Sequence, residues 1–386
     1  MENNGKLFHE FEQVDKAAWK SKIEKDLRGA NYEEKVVWNT KEGFKVNPFY
    51  NHEDLNGLEY LKQISNSGMQ ENQPETGPRQ WLNLPEIPVK DKREANRKAL
   101  LALNNGADGI VFSLPKNLNR GEFSQLIDGI QLPYCSIGFK GIYSPMALLK
   151  HIISYTEKAG FNPETLQGTL NFNFEDISTE DFAESFELLT SLPGFKLILT
   201  VNREGLNYQE SISKVLTAGV ELIEKLREIS FEPDQIFKQI QFSWDSGNNY
   251  FFEIAALRAL KILIVQIARV YGLDSFQYPN VKIHVNTHIT VNEETKADPY
   301  LNMLSNTNQA MSAIIGGCDS LTVLPHNLGI EQSDDFAERI ARNVSNILKE
   351  EAYLDKVADP AAGSYYIENL TDQLAEKSWK LFSESV

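Results

Sequence analysis

From residue 79 onward the chain alternates two kinds of segment. Short apolar runs stand at "GIVFSL" (109–114), "CSIGF" (135–139), "TLNFNF" (169–174), "KLILTV" (196–201), "IQFSW" (240–244), "VKIHVN" (281–286) and "SLTVL" (320–324). Between most of them lie longer stretches whose apolar residues recur every three to four positions, as in "PMALLKHIISYTEKAG" and "SDDFAERIARNVSNILKEEAYL". The runs predict strands and the stretches predict helices. Ser333, Asp334 and Asp335 head the last of these stretches. They suit a helix N-terminus, where side-chain oxygens accept from free amides and negative charge complements the helix dipole.

The runs are spaced by roughly 27 to 43 residues, room for one helix per return, and such returns lay the strands parallel. An eighth strand is expected in the closing stretch "KVADPAAGSYYIENLTDQLAEKSW" (356–379), at Val357-Ala358 or at Tyr365-Tyr366-Ile367, with a last helix after it. Eight regular units favour a closed (β/α)8 TIM barrel with a filled interior over an open sheet.

Residues 1–62 read as an N-terminal arm of helix plus hairpin, 63–78 as a polar linker ("QISNSGMQENQPETGP" spans 63–78), and 79–386 as the barrel. Asp15 caps the arm helix, Trp19, Ile23 and Leu27 form its apolar stripe, and Gly29 stops it. In "KVVWNTKEGFKVNPFY" two β-rich runs flank Lys41-Glu42-Gly43, a hairpin signal. A helix this short needs a surface to bury its stripe. Trp19, Ile23 and Leu27 are therefore assigned to a partner interface, with folding back onto the chain's own barrel as the other outcome.

Composition narrows the class. Of 386 residues, 41% are hydrophobic and 24% charged, the shares of a soluble globular protein. Net charge is −16 with no cluster of Lys and Arg, which argues against nucleic acid and anionic membranes as partners. The opening "MENNGKLFHEFEQVD" is polar and acidic, unlike a signal peptide. The most apolar run, "ALRALKILIVQIARVYGL", is interrupted by Arg258, Lys261 and Arg269, which predicts a buried helix in place of a membrane span. Cys135 and Cys318 are isolated and read as buried thiols, consistent with a cytoplasmic location.

Barrel enzymes carry reacting groups at the C-terminal ends of their strands. That rule selects Lys140, Asp245, His284, His288, His326 and Asp359. His284 and His288 lie about 13 Å apart on an extended segment, too far to share a metal ion, and read as core or rim histidines. No GxGxxG, Walker, GxSxG or CxxC motif is present. Gly316-Gly317 reads as a left-handed helix stop before a strand, and Asp319 as a loop residue.

Several longer segments carry a resemblance: "WKSKIEKDLRGANYEEKVVWNTKEGFKVNPFY", "GPRQW", "GADGIVFSL" and "NNYFFEIAALRALKIL". Its most specific part is "ADPYLNMLSNTNQAMSAIIGGCDSLTVLPHN" with "DFAERIARNVSNILKEEAYLDKVADPAAGSYYIENLTDQLAEKSW". Over nearly its whole length the chain resembles the methylmalonyl-CoA mutase family, the small subunits of its heterodimeric enzymes in particular. The resemblance implies a barrel that threads coenzyme A along its axis. It further implies radicals from adenosylcobalamin that convert methylmalonyl-CoA to succinyl-CoA, and an arm that wraps the other subunit.

The departures from the family pattern are informative. The Asp-x-His-x-x-Gly motif of the cobalamin domain is missing, so that domain is expected to be absent. The Arg-Gly-x-Tyr-x-Thr-Met-Tyr segment is replaced by the polar linker, and Arg79-Gln80-Trp81 sets Trp81 where the resemblance puts an active-site tyrosine. "LTVNREG" replaces a Gly-Tyr-His motif. Trp has no phenolic O–H, and Thr, Val or Asn cannot replace imidazole. His284 matches a histidine that contacts the coenzyme A ester, and Lys282 replaces an arginine nearby. The resemblance therefore implies a catalytically degenerate subunit that binds no cofactor itself and pairs with a large subunit carrying adenosylcobalamin. The alternatives are an active barrel whose cobalamin domain is on a separate chain, and a cobalamin-free enzyme using Lys140, Asp245, His284 and Asp359.

Overall fold

A computed structural model describes residues 15–385 apart from 41, 59, 61–78, 143, 173–177, 274–280 and 331–333. The linker expected at 63–78 lies outside the described residues. Eight parallel strands surround one axis among them. β1 is split into Leu82–Asn83 and Glu86–Pro88; then follow β2 (Gly109–Ser113), β3 (Ser136–Lys140), β4 (Gln167–Asn171), β5 (Phe195–Leu199), β6 (Ile240–Asp245), β7 (Ile283–Asn286) and β8 (Ser320–Thr322). Neighbours in the chain are neighbours in the sheet.

Closure depends on the split in β1. Its first half pairs with β8, Leu82 opposite Ser320, and its second half pairs with β2, Glu86 opposite Val111. The exchange of partners falls at Leu84-Pro85, where Leu84 N–H donates to Leu321 (2.9 Å) and the Pro85 carbonyl accepts from Val111 (3.0 Å). The two ends of the sheet are thus consecutive pieces of one strand, and the predicted (β/α)8 barrel is closed.

The closing stretch is not strand eight. Residues 351–364 form a loop, and Tyr365–Ser385 is a helix on the outside of the barrel. Ile367, Leu370, Thr371, Leu374, Ser378 and Phe382 are among its buried positions, a spacing of three to four that only a helix turns to one side. That tertiary burial overrides the β preference of Tyr365-Tyr366-Ile367. The missing strand is β1, which precedes all the others.

Helix Tyr250–Val270, the apolar run of the sequence, is sandwiched between the sheet and helix Tyr365–Ser385 and is buried on most of its surface. Arg258 and Lys261, two of its interrupting charges, are ion-paired. Arg258 donates to Glu368 (2.8 Å) and Asp359, and Lys261 reaches Asp319 (3.1 Å). No helix among the described residues is long and apolar enough to cross a membrane. Cys318 is buried, and Cys135 is partly so.

The arm has two parts. Its hairpin, Trp38–Asn39 against Lys45–Val46, docks on the chain's own helices. Phe44 is buried beside Phe252, with Lys377 Nζ 3.7 Å from its ring centroid, and Lys377 also donates to the Gly43 carbonyl (3.0 Å). The preceding helix, Lys16–Asp26, is capped by Asp15 as expected, with Ala18 N–H 2.7 Å from its carboxylate. It contains no buried residue. Trp19 stacks on Phe49 (4.6 Å), while Ile23 and Leu27 are half-exposed.

Candidate functional site

Alternation along each strand decides what faces the barrel axis. On β6, Ile240, Phe242 and Trp244 join the core beneath the helices, so Gln241, Ser243 and Asp245 turn inward. His284 and Asn286 on β7, and Ser320 and Thr322 on β8, do the same. Gln241 Nε2 reaches over β7 to Ser320 Oγ (3.1 Å), a contact possible only inside the barrel. The opposite wall is made of small or apolar groups: Leu84, Val111, Gly138, Thr169 and Ile198. A Cβ at Gly138 would sit 2.5 Å from Thr169 Oγ1, so any larger side chain there would have to displace Thr169. A barrel lumen is usually filled by Val, Ile and Leu. Half of this one is polar.

These side chains satisfy one another. His284 Nδ1 lies 2.8 Å from Ser320 Oγ and its Nε2 3.0 Å from Asn286 Oδ1. Asn286 Nδ2 donates to Asp245 Oδ1 (3.0 Å), and Thr322 Oγ1 donates to the Leu84 carbonyl (2.6 Å). This pattern assigns the proton of His284 to Nε2, with Ser320 donating to Nδ1. Burial, opposed by the hydrogen bond to Asn286 and aided by the Lys140 charge, pushes the imidazole pKa down to about 4, so the ring is neutral at pH 7. Ser243, His284, Ser320 and Thr322 are all buried.

The mouth above them is lined by paired polar groups. Lys140 Nζ meets Glu86 at 3.0 Å, and Asn171 donates to Thr200 Oγ1 (2.8 Å). Arg203, in the segment "LTVNREG", lies flat on Trp244 with its guanidinium 3.5 Å from the ring centroid, and donates to the Asp245 carbonyl. Glu253 anchors that corner by accepting from Trp244 Nε1 and Gly247 N–H, each at 2.7 Å.

Of the residues selected by the strand-end rule, Lys140, Asp245 and His284 meet at the lumen and its mouth. His288 is exposed on the loop after β7, where its backbone bonds Gln309 (2.6 Å), and does not approach a shared metal with His284. His326, after β8, is buried and stacks on Tyr300 (5.2 Å). Among the described residues, no three His, Cys, Asp or Glu side chains are grouped as metal ligands.

Asp359 belongs elsewhere. It pairs with Arg258, and the adjacent Ala358 carbonyl accepts from Arg79 (2.7 Å) at the N-terminal end of β1. Its selection followed from the misplaced strand eight. Trp81 is also at that end: it is buried, and its indole N–H donates to Ser345 Oγ (2.8 Å) on helix Asp335–Glu350. Lys282 precedes β7 and pairs with Asp319 (3.2 Å). Asp319 is more than a loop residue, since Lys261 and Lys282 outweigh its burial and hold its pKa low. Gly317 adopts the expected left-handed helix stop, at φ 101°.

The lumen residues that sequence reasoning missed are Glu86, Ser243, Asn286, Ser320 and Thr322, together with Arg203. For Ser243 and Asn286 the signal was present in "QFSWD" and "IHVN", where polar residues alternate with apolar ones. A parallel strand buried on both faces normally lacks that alternation.

Comparison with known proteins places the chain among close relatives. The family described as methylmalonyl-CoA mutase matches residues 197–385. The methylmalonyl-CoA mutase small subunit of Porphyromonas gingivalis is 37% identical over 98% of this chain and 63% of its own length. The small subunit of Streptomyces virginiae is 28% identical over 93% of the chain and 60% of its own. The large subunit of P. gingivalis is more distant, 25% identical over 90% of the chain and 54% of its own. The chain spans about six-tenths of the length of the small subunits it matches.

Proposed function

The chain belongs to the methylmalonyl-CoA mutase family, and we propose that it acts there as a small subunit that assembles with and stabilises a catalytic large subunit without turning over substrate itself. The observation that carries this reading is the self-satisfied lumen. Both nitrogens of His284 are engaged, Lys140 is ion-paired, and Ser243, His284, Ser320 and Thr322 are buried. A coenzyme A ester threaded along this axis would break buried hydrogen bonds, each costing about 1–3 kcal/mol when a partner is left unmade.

Adenosylcobalamin, the family's radical source, does not fit the mouth as it stands. Lys140, Asn286 and Asp245 are held by one another or by Glu86. No step is therefore assigned to cobalamin or coenzyme A on this chain, and both are assigned to the large subunit. The arm helix, with Trp19, Ile23 and Leu27 only partly covered by their own chain, is assigned to the subunit interface.

A second reading keeps an active barrel here with the cobalamin domain on another chain. One observation favours it: a neutral imidazole at position 284 inside the lumen. The two separate cleanly by experiment. The chain is co-expressed with the large subunit of the same organism, and the purified complex is assayed for conversion of methylmalonyl-CoA to succinyl-CoA. His284→Ala in this chain should leave turnover unchanged, and the chain alone should show neither turnover nor a cobalamin spectrum. A turnover loss of about tenfold or more, about 1.4 kcal/mol of transition-state stabilisation, would transfer the active site to this barrel.

A further inference from the structure

Outside the lumen, a groove of about 400 Å³ runs between helix Lys92–Leu103, which follows β1, and helix Asp335–Glu350, which follows β8. Part of its wall is apolar, with Ile87, Leu101, Val323 and Phe336 among the lining residues. Leu101 and Phe336 are 47% and 42% exposed, high values for side chains of this kind flanking a concave surface.

The groove also holds two cations one helical turn apart, Arg339 and Arg342. The acids around them are occupied or distant. Glu338 pairs with Lys98 (2.6 Å) and Glu86 with Lys140 (3.0 Å). Asp335 is exposed in the first turn of the helix, and among the described residues it forms no ion pair with either arginine. Arg339 lies over the Phe336 ring at 5.6 Å. Arg342 Nε is buried and has no acceptor among the described residues. Burial, and then the charge of Arg339, push the Arg342 pKa down, against the opposing charge of Glu338.

Two adjacent guanidinium groups, one with a buried and unbonded N–H, are unfavourable until an anion bridges them. A carboxylate matches their planar fork better than a point charge does. We propose that this groove is a binding site for a small amphipathic carboxylate, its head held by Arg339 and Arg342 and its apolar body lying against Ile87, Leu101 and Phe336. The volume is within the range of about 300–1,000 Å³ for small-molecule sites. Pro85, Glu86, Val323 and Pro325 form its inner end, beside the C-terminal ends of β1 and β8. The ligand therefore sits next to the barrel mouth without entering the lumen.

The test is calorimetric titration of the full chain with octanoate and, in parallel, octylamine. Octanoate should bind saturably, about tenfold or more weaker in Arg342→Gln and in Arg339→Gln, while octylamine shows no saturable heat. Leu101→Glu, an exposed position whose change spares the core, should abolish octanoate binding while leaving circular dichroism and the melting temperature unaltered. That variant decides the matter if an arginine variant fails to fold. Equal octanoate affinity in the folded arginine variants or in Leu101→Glu, equal affinity for octylamine, or no saturable heat at millimolar octanoate would each overturn the proposal.

Discussion

Replacing Glu368 with leucine should destabilise the protein by about 3–5 kcal/mol, the cost of orphaning a buried charge. The Glu368 side chain is 1% exposed and that of Arg258 8%, so neither is compensated by water. Glu368 accepts from Arg258 Nη2 (2.8 Å), from Gly363 N–H (2.9 Å) and from the Tyr60 hydroxyl. Burial alone would lower the Arg258 pKa, yet Asp359 and Glu368 together raise it. Without Glu368, the guanidinium keeps only Asp359, which is 33% exposed, and Gly363 N–H loses its acceptor, while Tyr60 keeps the backbone carbonyl of residue 368. Arg258→Met should cost a similar amount for the converse reason. The double variant removes both charges and should cost about 2–3 kcal/mol less than the sum of the singles, a coupling typical of buried networks. Urea unfolding followed by circular dichroism supplies the four free energies of this cycle. A Glu368→Leu cost below about 1 kcal/mol, or additive singles, would refute a desolvated pair and imply that water reaches it.

Three further outcomes follow from the lumen and the outer layer. His284 has its pKa lowered from 6.5 to about 4, so between those values the unfolded chain holds a proton that the native one does not; stability should fall by about 1.4 kcal/mol per unit as pH drops through that window and stay flat above it. His284→Asn should flatten the slope when urea midpoints are compared across pH. Gly138→Ala should cost about 1–3 kcal/mol by overpacking against Thr169, and Thr169→Ala in the same chain should recover most of the lost melting temperature. Trp81→Phe, which keeps a ring but removes the donor to Ser345, should cost about 1 kcal/mol in urea unfolding, with Ser345→Ala adding little to it.

Seven of the eight barrel strands were legible because each is an unbroken run of β-forming residues between helical periods. β1 was not, since "WLNLPEIP" carries two prolines and a glutamate and looks like a connector. Its pairing is imposed by two neighbours that are distant or adjacent in sequence, and no local pattern records that. The same gap drew Tyr365-Tyr366-Ile367 into the empty eighth place and moved Asp359 to the wrong end of the barrel. At the site, Lys140, Asp245 and His284 were found by the strand-end rule alone. The partners that neutralise them were not, because Glu86 is on the unseen strand and Arg203 acts from a loop whose course depends on Trp244. Trp81 shows a different limit: the residue was singled out correctly as unusual, but its direction follows from the register of β1.

The division of β1 between two partners also bears on how the chain is made. Leu82 meets Ser320, so the seam waits for the intervening chain to leave the ribosome. At about 5–20 residues per second that takes roughly 10–50 s. Through that interval a nascent edge is open to neighbouring nascent chains. The waiting half-strand is only Leu82–Asn83, and Pro85, which has no N–H, ends its run of donors. Edges that are short and interrupted by proline are poor templates for intermolecular strand addition. The feature that lets one strand finish the barrel thus also shields the unfinished barrel during translation.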